Sequence, residues 1–386
     1  MRPANISRVA NIEDLRQIAR RRVPKIFFDY VDGGSYSEAT MRANVDDFDK
    51  WGFAPRFLVD VSKRTLDTTI LGQKSALPIM IAPNGLTGML WPKGEAVAAR
   101  AAHAAGIPLT LSTVSICTME EVAAEAKSGF HFQLYLPKDK GLAKSFLDRA
   151  KACGAGAIHF TVDANLPALR EKDLYNGLRF AGTPALRTML DILAHPQWAL
   201  AHVPTGRMPR FGNLPPETGR DLLEQTANMG NINELVITWD HLRWIRQNWD
   251  GKLVFKGAMT VEDARQAVDE GCDAVVVTNH GGRQMDGILS SVAVLPRIAA
   301  AVGGRTEIIL DSGIRRGTQI AKALALGADS VMIGRAYLYG LAAAGEAGVA
   351  LAIRLLADEL SITLGSLGLN SIAELRAKGP GIIERI

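Results

Sequence analysis

Short runs of branched and aromatic apolar residues, each breaking into polar residues or glycine, recur along this chain from Leu77 onward. They are LPIMIAP at 77–83, IPLTLST at 107–113, FHFQLYL at 130–136 and AIHFTVD at 157–163. After a long gap come KLVFKG at 252–257, AVVVTNH at 274–280, EIILDSG at 307–313 and SVMIGR at 330–335. Runs that are mostly apolar rather than alternating suit strands buried on both faces. Helically spaced stretches separate them, such as GEAVAARAAHAAG after the first and VEDARQAVDEG after the fifth. Eight strand–helix units with no second domain between them predict an α/β chain folded as a (β/α)8 TIM barrel rather than a doubly wound sheet.

The flanks read differently. Leu15, Ile18 and Ala19 give residues 11–30 a helical spacing, and Pro24 opens a second short helix through Ile26, Phe27, Phe28 and Tyr30. Gly33-Gly34 then ends one element before another helical pattern begins. One domain over 1–386 is expected: an N-terminal helical cover (1–76), the barrel (77–340) and C-terminal helices (341–386). The stretch 166–250, after the fourth strand, is too long for a common connection and reads as an insertion. It holds the amphipathic RTMLDILAHPQWALAHVP, with Trp198, and the Gly/Asn/Pro-rich NLPPETG. Length alone favours a lid or packing insertion over a membrane-surface or partner-binding element. ITWDHLRWIRQNWDG at 237–251 restores a helix, with Thr238 or Asp240 as cap.

Composition narrows the class. Hydrophobic content of 47% argues against long disorder, and the excess of 44 Lys and Arg over 40 Asp and Glu is too small and too scattered for nucleic-acid binding. Cys117, Cys153 and Cys272 are isolated, so neither a disulfide framework nor a CxxC metal site is expected, and a reducing, cytoplasmic compartment is the simpler reading. The opening MRPANISRVANIEDLRQ has no apolar signal core, and no uncharged stretch reaches the roughly 20 residues of a spanning helix. The expectation is a chain that is soluble or sits against a membrane without crossing it.

In a barrel the strand ends meet on one face, so chemistry is sought there. The sixth run ends in TNHGGRQMD, where His280 offers a base titrating near neutrality, Arg283 a fork for a carboxylate, and Asp286 an acid to orient one of them. The bland alternative is a polar turn with a satisfied histidine and a surface ion pair. It loses weight because a second arginine, Arg170, follows the fourth strand, and two arginines imply an acidic substrate. Asp163 ends that strand as a partner for His280 or a turn cap, and Tyr30 and Tyr135 are hydrogen-bond donors or packing residues in equal measure. Lys256 is a cation for a reduced ring or one paired in the barrel mouth. DSGIRRG at 311–317 and IGRA at 333–336 place Gly313, Arg315, Gly334 and Arg335 where barrels usually bind phosphate. Ser112, Thr113, Gln133 and Thr161 add polar groups at other strand ends. Without a GxGxxG fingerprint, a dinucleotide domain is not expected.

TNHGGRQMD, FQLY, TVDANLPALREKD, DSGIRRG and IGRA together resemble the FMN-dependent L-2-hydroxy acid dehydrogenase/oxidase family, over nearly the whole chain from the DYVDGG segment at 29–34. The resemblance implies bound FMN and oxidation of an L-2-hydroxy acid to the 2-oxo acid. Under it His280 is the base assisted by Asp163, with Tyr135 beside the reacting centre, and Arg170, Arg283, Tyr30 and Tyr135 hold the substrate. Lys256 lies near flavin N1. Pro83, Asn84, Gly85, Ser112, Gln133, Thr161 and Thr278 contact the cofactor, and Asp311, Gly313, Arg315, Gly334 and Arg335 complete its site. No metal is implied.

Departures bear on the subclass. Ala168 stands where the family has glycine, which reshapes the loop of Arg170. Gly85, where glycolate oxidases have alanine, leans toward the dehydrogenase or monooxygenase branches. WPKG at 91–94 is similar to (S)-mandelate dehydrogenase, whereas DGGSYSE, LSTVSICTMEEVA and HPQWA are similar to quinone-linked L-lactate dehydrogenase. The 176–215 region resembles the membrane-associating loop of both. The expected protein is therefore a quinone-linked dehydrogenase, L-lactate slightly ahead of (S)-mandelate, at the cytoplasmic face of the inner membrane and assembled as a homo-tetramer. The rivals are an oxygen-using 2-hydroxy acid oxidase and a flavin-binding protein without turnover.

Overall fold

Each of the eight apolar runs forms a strand, all but the fifth shorter than the run: β1 (Ile79–Ile81), β2 (Leu109–Ser112), β3 (Phe130–Leu134), β4 (Ala157–Thr161), β5 (Lys252–Ala258), β6 (Ala274–Val277), β7 (Glu307–Leu310) and β8 (Ser330–Ile333). All neighbours pair parallel, and β8 closes onto β1 through Val331↔Ile79, giving a closed (β/α)8 barrel in sequence order. The structure, a computed structural model, describes residues 1–164, 166–177, 186–202 and 209–386. β6, β7 and β8 end before the polar or glycine residues that close their runs. His280, Asp311 and Gly334 therefore stand on loops beyond the hydrogen-bonded ladder, free to be aimed individually.

Two-residue alternation divides the core. Met80, Ala157, Val254, Ala274, Val276, Ile309 and Met332 form one buried cluster, whereas Phe130, Phe132, Ile158, Phe160, Leu253 and Phe255 belong to the larger core that includes helix residues such as Phe146 and Leu295. The first cluster also contains Ile70 and Leu71 from a hairpin the sequence reading did not anticipate, Thr68–Ile70 with Gln73–Ser75. The Leu71 amide donates to Glu307 at the start of β7 (2.7 Å), which seats this hairpin at the barrel's N-terminal end. A second unanticipated pairing, Trp51–Phe53 with Ile383–Arg385, ties the N-terminal segment to the C-terminus.

The N-terminal cover consists of α1 (Ile12–Arg22), α2 (Lys25–Asp32) and α3 (Ala39–Asp46). Asn11 caps α1, and Pro24 stands just before α2, as its sequence position suggests. Arg16 holds the Asp32 carboxylate (2.6 and 2.9 Å), and Tyr339 donates to the same group (2.7 Å), so α1 and α2 are pinned to the helix after β8. This places Tyr30 over the C-terminal mouth of the barrel.

Within the insertion lie α4 (Leu186–Ala194), α5 (Pro196–His202) and α6 (Leu222–Ile232). Over its described residues, to His202, the amphipathic stretch expected at 187–204 is thus two helices, broken at His195-Pro196. Residues 178–185 and 203–208 of the 176–215 region lie outside the described residues. The helix expected over 237–251 spans Trp239–Asn248, with Thr238 rather than Asp240 as cap. Among the described residues, no helix is long and apolar enough to cross a membrane.

Candidate active site

The chain leaves β6 through Thr278 and Asn279 and then enters a left-handed run, His280 (φ +60°), Gly281 (+67°) and Gly282 (+71°). Such angles strain a residue with a Cβ and suit glycine. A Cβ on Gly282 would lie 2.5 Å from the Met41 backbone nitrogen, so this turn packs against α3 with no room to spare. His280 itself is held from below, its amide donating to Thr278 Oγ1 (3.0 Å), whose hydroxyl donates to Asp311 (2.8 Å).

The imidazole lies between two side chains brought from distant strand ends. Its Nδ1 is 3.0 Å from Asp163 Oδ1, just past β4, and its Nε2 is 3.3 Å from the Tyr135 hydroxyl, just past β3. A carboxylate fixes the proton on Nδ1 and leaves Nε2 as the acceptor facing outward. Burial lowers the pKa of His280 below the ordinary histidine value, Asp163 pulling it up and Lys256 pushing it down. For Asp163, burial acts upward, but His280 and Lys256 outweigh it and hold the carboxyl below its usual range. The ring is therefore a neutral base with an ionised partner ready to stabilise a proton once it arrives.

Arg283 lies over one face of the Tyr30 ring (4.7 Å to the centroid) and Arg170 is also within reach of that ring (5.5 Å). Arg283 Nη1 donates to the Tyr30 and Gly33 carbonyls, which orients the guanidinium while using only part of its donor set. Burial, with Arg170 adding to it, lowers the Arg283 pKa. Burial also opposes the charge on Arg170, but Asp173 at 2.5 Å more than offsets it. Two neighbouring guanidiniums, only one of them with a carboxylate of its own among the described residues, make a site that favours an added anion.

A cavity of about 480 Å³ joins these groups: Tyr30, Tyr135, Arg170, His280 and Arg283 line it together with Pro83, Asn84, Gly85, Lys256, Asp311, Gly313, Arg315, Gly334 and Arg335. Ser112, Gln133, Thr161 and Thr278 are buried at adjacent strand ends. Ser112 Oγ donates to Gln133 Oε1 (3.0 Å), and Thr113 takes a bracing part, accepting from the Tyr135 amide (3.0 Å). Lys256 is 3.6 Å from Asp311.

Two expectations change. Asp286 orients neither His280 nor Arg283: its carboxylate accepts from Ser37 Oγ, Ala39 N and Thr40 N at the start of α3. Arg335 directs its guanidinium at the carbonyls of Val31, Gly281 and Gly33 (2.8–2.9 Å), so its side chain braces α2 and the His280 turn. Burial lowers Arg335 to about 10. Sequence reading also missed part of the wall, namely Val114 together with Leu166, Phe211, Met229 and Leu235 from the insertion. No sequence pattern marked these residues, because the insertion has no periodic anchor to the barrel.

The polar lining fits a flavin mononucleotide. Asn84 Oδ1, Gln133 Nε2 and Thr161 Oγ1 are buried yet have no hydrogen-bond partner among the described residues, which is unfavourable unless another molecule supplies one. A ring with polar edges would do so. Gly334 opens the helix Arg335–Ala344 without a capping side chain, leaving its first amides beside Gly313 and Arg315 for a phosphate.

Comparison with known proteins agrees. A family model described as FMN-dependent dehydrogenase matches residues 19–380. A structure of a monotopic membrane protein, (S)-mandelate dehydrogenase, is 38% identical, covers 98% of this chain and 100% of its own, and superposes with a TM-score of 0.93. An active chimera of (S)-mandelate dehydrogenase carrying a Gly-to-Ala substitution is 37% identical over 98% and 100%, with a TM-score of 0.82. A mandelate oxidase is 34% identical over 95% and 97%, also with a TM-score of 0.82.

Proposed function

The chain belongs to the FMN-dependent dehydrogenase family, and on that footing we propose that it oxidises an L-2-hydroxy acid with a bulky apolar side chain and hands the electrons to a membrane quinone. The family supplies the enzyme class, a 2-hydroxy acid oxidoreductase, and the cofactor, FMN. The observation that carries the reading is the Asp163–His280–Tyr135 chain, whose His280 and Tyr135 line one cavity with Arg170 and Arg283.

When bound, FMN would supply the acceptor for the two electrons, and for the one hydrogen that His280 does not take, lost from the hydroxyl-bearing carbon and its oxygen. Asn84, Gln133, Thr161 and Lys256 would hold its ring, and the Gly313–Arg315 and Gly334–Arg335 segments its phosphate. Arg283 and Arg170 clamp the substrate carboxylate, which fixes the hydroxyl carbon relative to His280. His280 Nε2 takes the departing proton, Asp163 stabilises the resulting imidazolium, and the Tyr135 hydroxyl donates toward the substrate oxygen. Tyr30 closes the carboxylate end of the site.

The residues around the side-chain end favour aryl over methyl. Val114, Leu166, Phe211, Met229 and Leu235 offer apolar surface that lactate would leave uncovered, so (S)-mandelate-like acids move ahead of L-lactate. Membrane contact is supported by the exposed apolar side chains Leu186, Met189, Leu190, Leu193 and Leu200 on α4 and α5, and by the monotopic relative. The same reading carries a homo-tetramer, checked by light scattering.

Anaerobic flavin bleaching tests the chemistry. It should be fast with (S)-mandelate, slower with L-lactate and absent with the D-enantiomers; flavin that stays yellow with every L-2-hydroxy acid would end the proposal. Reoxidation by a quinone in preference to oxygen tests the acceptor, and stoichiometric peroxide would make the protein an oxidase instead.

A further inference from the structure

The α4–α5 hairpin has a second face, turned away from its exposed leucines. Trp198 is wholly buried there, stacked on Phe27 of α2 with ring centroids 5.0 Å apart, and its Nε1 donates to the Met89 carbonyl at 2.6 Å. His202 stacks on Trp198 in turn (4.5 Å), and its Nε2 lies 3.1 Å from the Gly88 carbonyl while Nδ1 lies 3.0 Å from the Trp198 carbonyl. A neutral imidazole has one N–H for these two acceptors, so His202 makes the weaker tie and Trp198 the stronger. Asp191 accepts from the Lys25 amide at the start of α2 (2.6 Å).

Both attachment points lead into the active site. α2 carries Tyr30. The Gly88–Met89 turn follows Pro83, Asn84 and Gly85, and its other side is tied down by the buried Glu95, whose Oε1 accepts from both Gly88 N and Ile116 N at 2.9 Å. The Leu86 amide donates to the Val114 carbonyl (3.3 Å). Gly85 and Val114 are so closely fitted that a Cβ on Gly85 would lie 2.8 Å from Val114 Cγ2. Displacement of the turn by a few tenths of an ångström therefore reaches the wall of the substrate cavity, because a close-packed interior transmits strain rather than absorbing it.

We propose that Trp198 and His202 are positioning residues for the Pro83–Gly85 segment, and that through them contact of the α4–α5 apolar face with a lipid bilayer sets the geometry of the substrate pocket. The inference rests on the membrane reading given above and adds regulation to it. A bilayer covering Leu186, Leu190, Leu193 and Leu200 fixes the hairpin, the Trp198 and His202 ties fix the turn, and the turn holds Gly85 and Val114 at the width that suits the acid. In water alone the hairpin is held from one side only, and the same pocket is looser.

The full-length, FMN-loaded protein is mixed with vesicles of phosphatidylethanolamine and phosphatidylglycerol. Sedimentation is measured alongside kcat and KM for (S)-mandelate with a water-soluble dye as acceptor. The expected result is co-sedimentation with a KM lowered at least threefold and kcat changed less. Trp198→Phe keeps an aromatic stack but lacks the N–H donor; it should sediment equally and show a raised KM that vesicles no longer lower. Should that variant fail to fold, His202→Leu should behave in the same way while His202→Gln, which retains a donor, restores the vesicle effect. Leu190→Glu combined with Leu193→Glu should abolish sedimentation and the fall in KM together. Wild-type protein that sediments with no change in KM overturns the coupling and leaves the membrane reading standing. Wild-type protein that does not sediment overturns both.

Discussion

His280 Nδ1 lies 3.0 Å from Asp163 Oδ1 although 117 residues separate the two in sequence. The contact fixes the tautomer that leaves Nε2 toward the cavity, and it gives the proton a counter-charge once it has moved. Substituting His280 with Gln removes the base while keeping a polar side chain of similar reach. Flavin reduction should slow by about 10²–10⁴ with FMN still bound, measured by anaerobic stopped-flow absorbance. Unchanged reduction would place the base elsewhere.

The pH profile follows from the direction of the His280 shift. Burial lowers its pKa, and a base works only when unprotonated, so activity persists to lower pH than an ordinary histidine allows. The acid limb of kcat/KM should therefore have its midpoint below 6.5. Because Asp163 pulls that pKa upward, Asp163→Asn should move the midpoint lower still while the plateau falls by about a hundredfold for want of a partner for the imidazolium. A midpoint that rises in this variant contradicts the assignment.

Gly85→Ala tests the fit of the pocket. The new methyl would stand 2.8 Å from Val114 Cγ2 and 3.3 Å from the Tyr30 hydroxyl, so Val114 must give way into the space offered to the substrate side chain. We expect kcat/KM for (S)-mandelate to fall by about tenfold, corresponding to ~1.4 kcal/mol, and that for L-lactate to fall less. Equal losses for both acids would remove Gly85 from the determinants of size.

Lys256→Met tests the cofactor environment. Lys256 is 3% exposed and 3.6 Å from Asp311, and its loss leaves a half-buried carboxylate at the cavity with no lysine opposite. The flavin midpoint potential should fall, read by dye equilibration on protein that still binds oxidised FMN. An unchanged potential would reduce Lys256 to a partner of Asp311 alone.

Asp286 gives a stability prediction away from catalysis. Burial acts to raise its pKa, but hydrogen bonds from the Thr40 amide, the Ser37 hydroxyl and the Ala39 amide outweigh it and bring the group to about 2, from an ordinary 3.8. A folded pKa below the unfolded one contributes stability above about 3.8 that is lost as pH falls through about 2. Asp286→Ala should thus melt at a lower temperature near neutrality, with the gap from wild type closing toward pH 2. A gap independent of pH would mean that the charge on Asp286 contributes nothing.

The apolar runs at 79–81 through 330–333 carry the barrel in the sequence, because a strand buried on both faces has to be apolar along its length and parallel strands require a helix between them. His280, Asp163, Arg170 and Arg283 were legible for a related reason: a residue that ends such a run must emerge at the one face where all the ends meet. The role of Asp286 was not legible. Three residues from Arg283, it points to α3, since the left-handed turn at His280–Gly282 redirects the chain and no local spacing encodes where it goes. The guanidinium of Arg335 is likewise engaged by carbonyls of α2 and the His280 turn, acceptors that only folding brings to it. The insertion shows the same limit more broadly. Its amphipathic pattern revealed that α4 and α5 have an apolar face, but the burial of Trp198 against Phe27 and its bond to Met89 depend on where the barrel stands. Periodicity is a property of one segment and survives in the sequence; the choice of partner across a cavity is a property of several segments at once, and it exists only after they have packed.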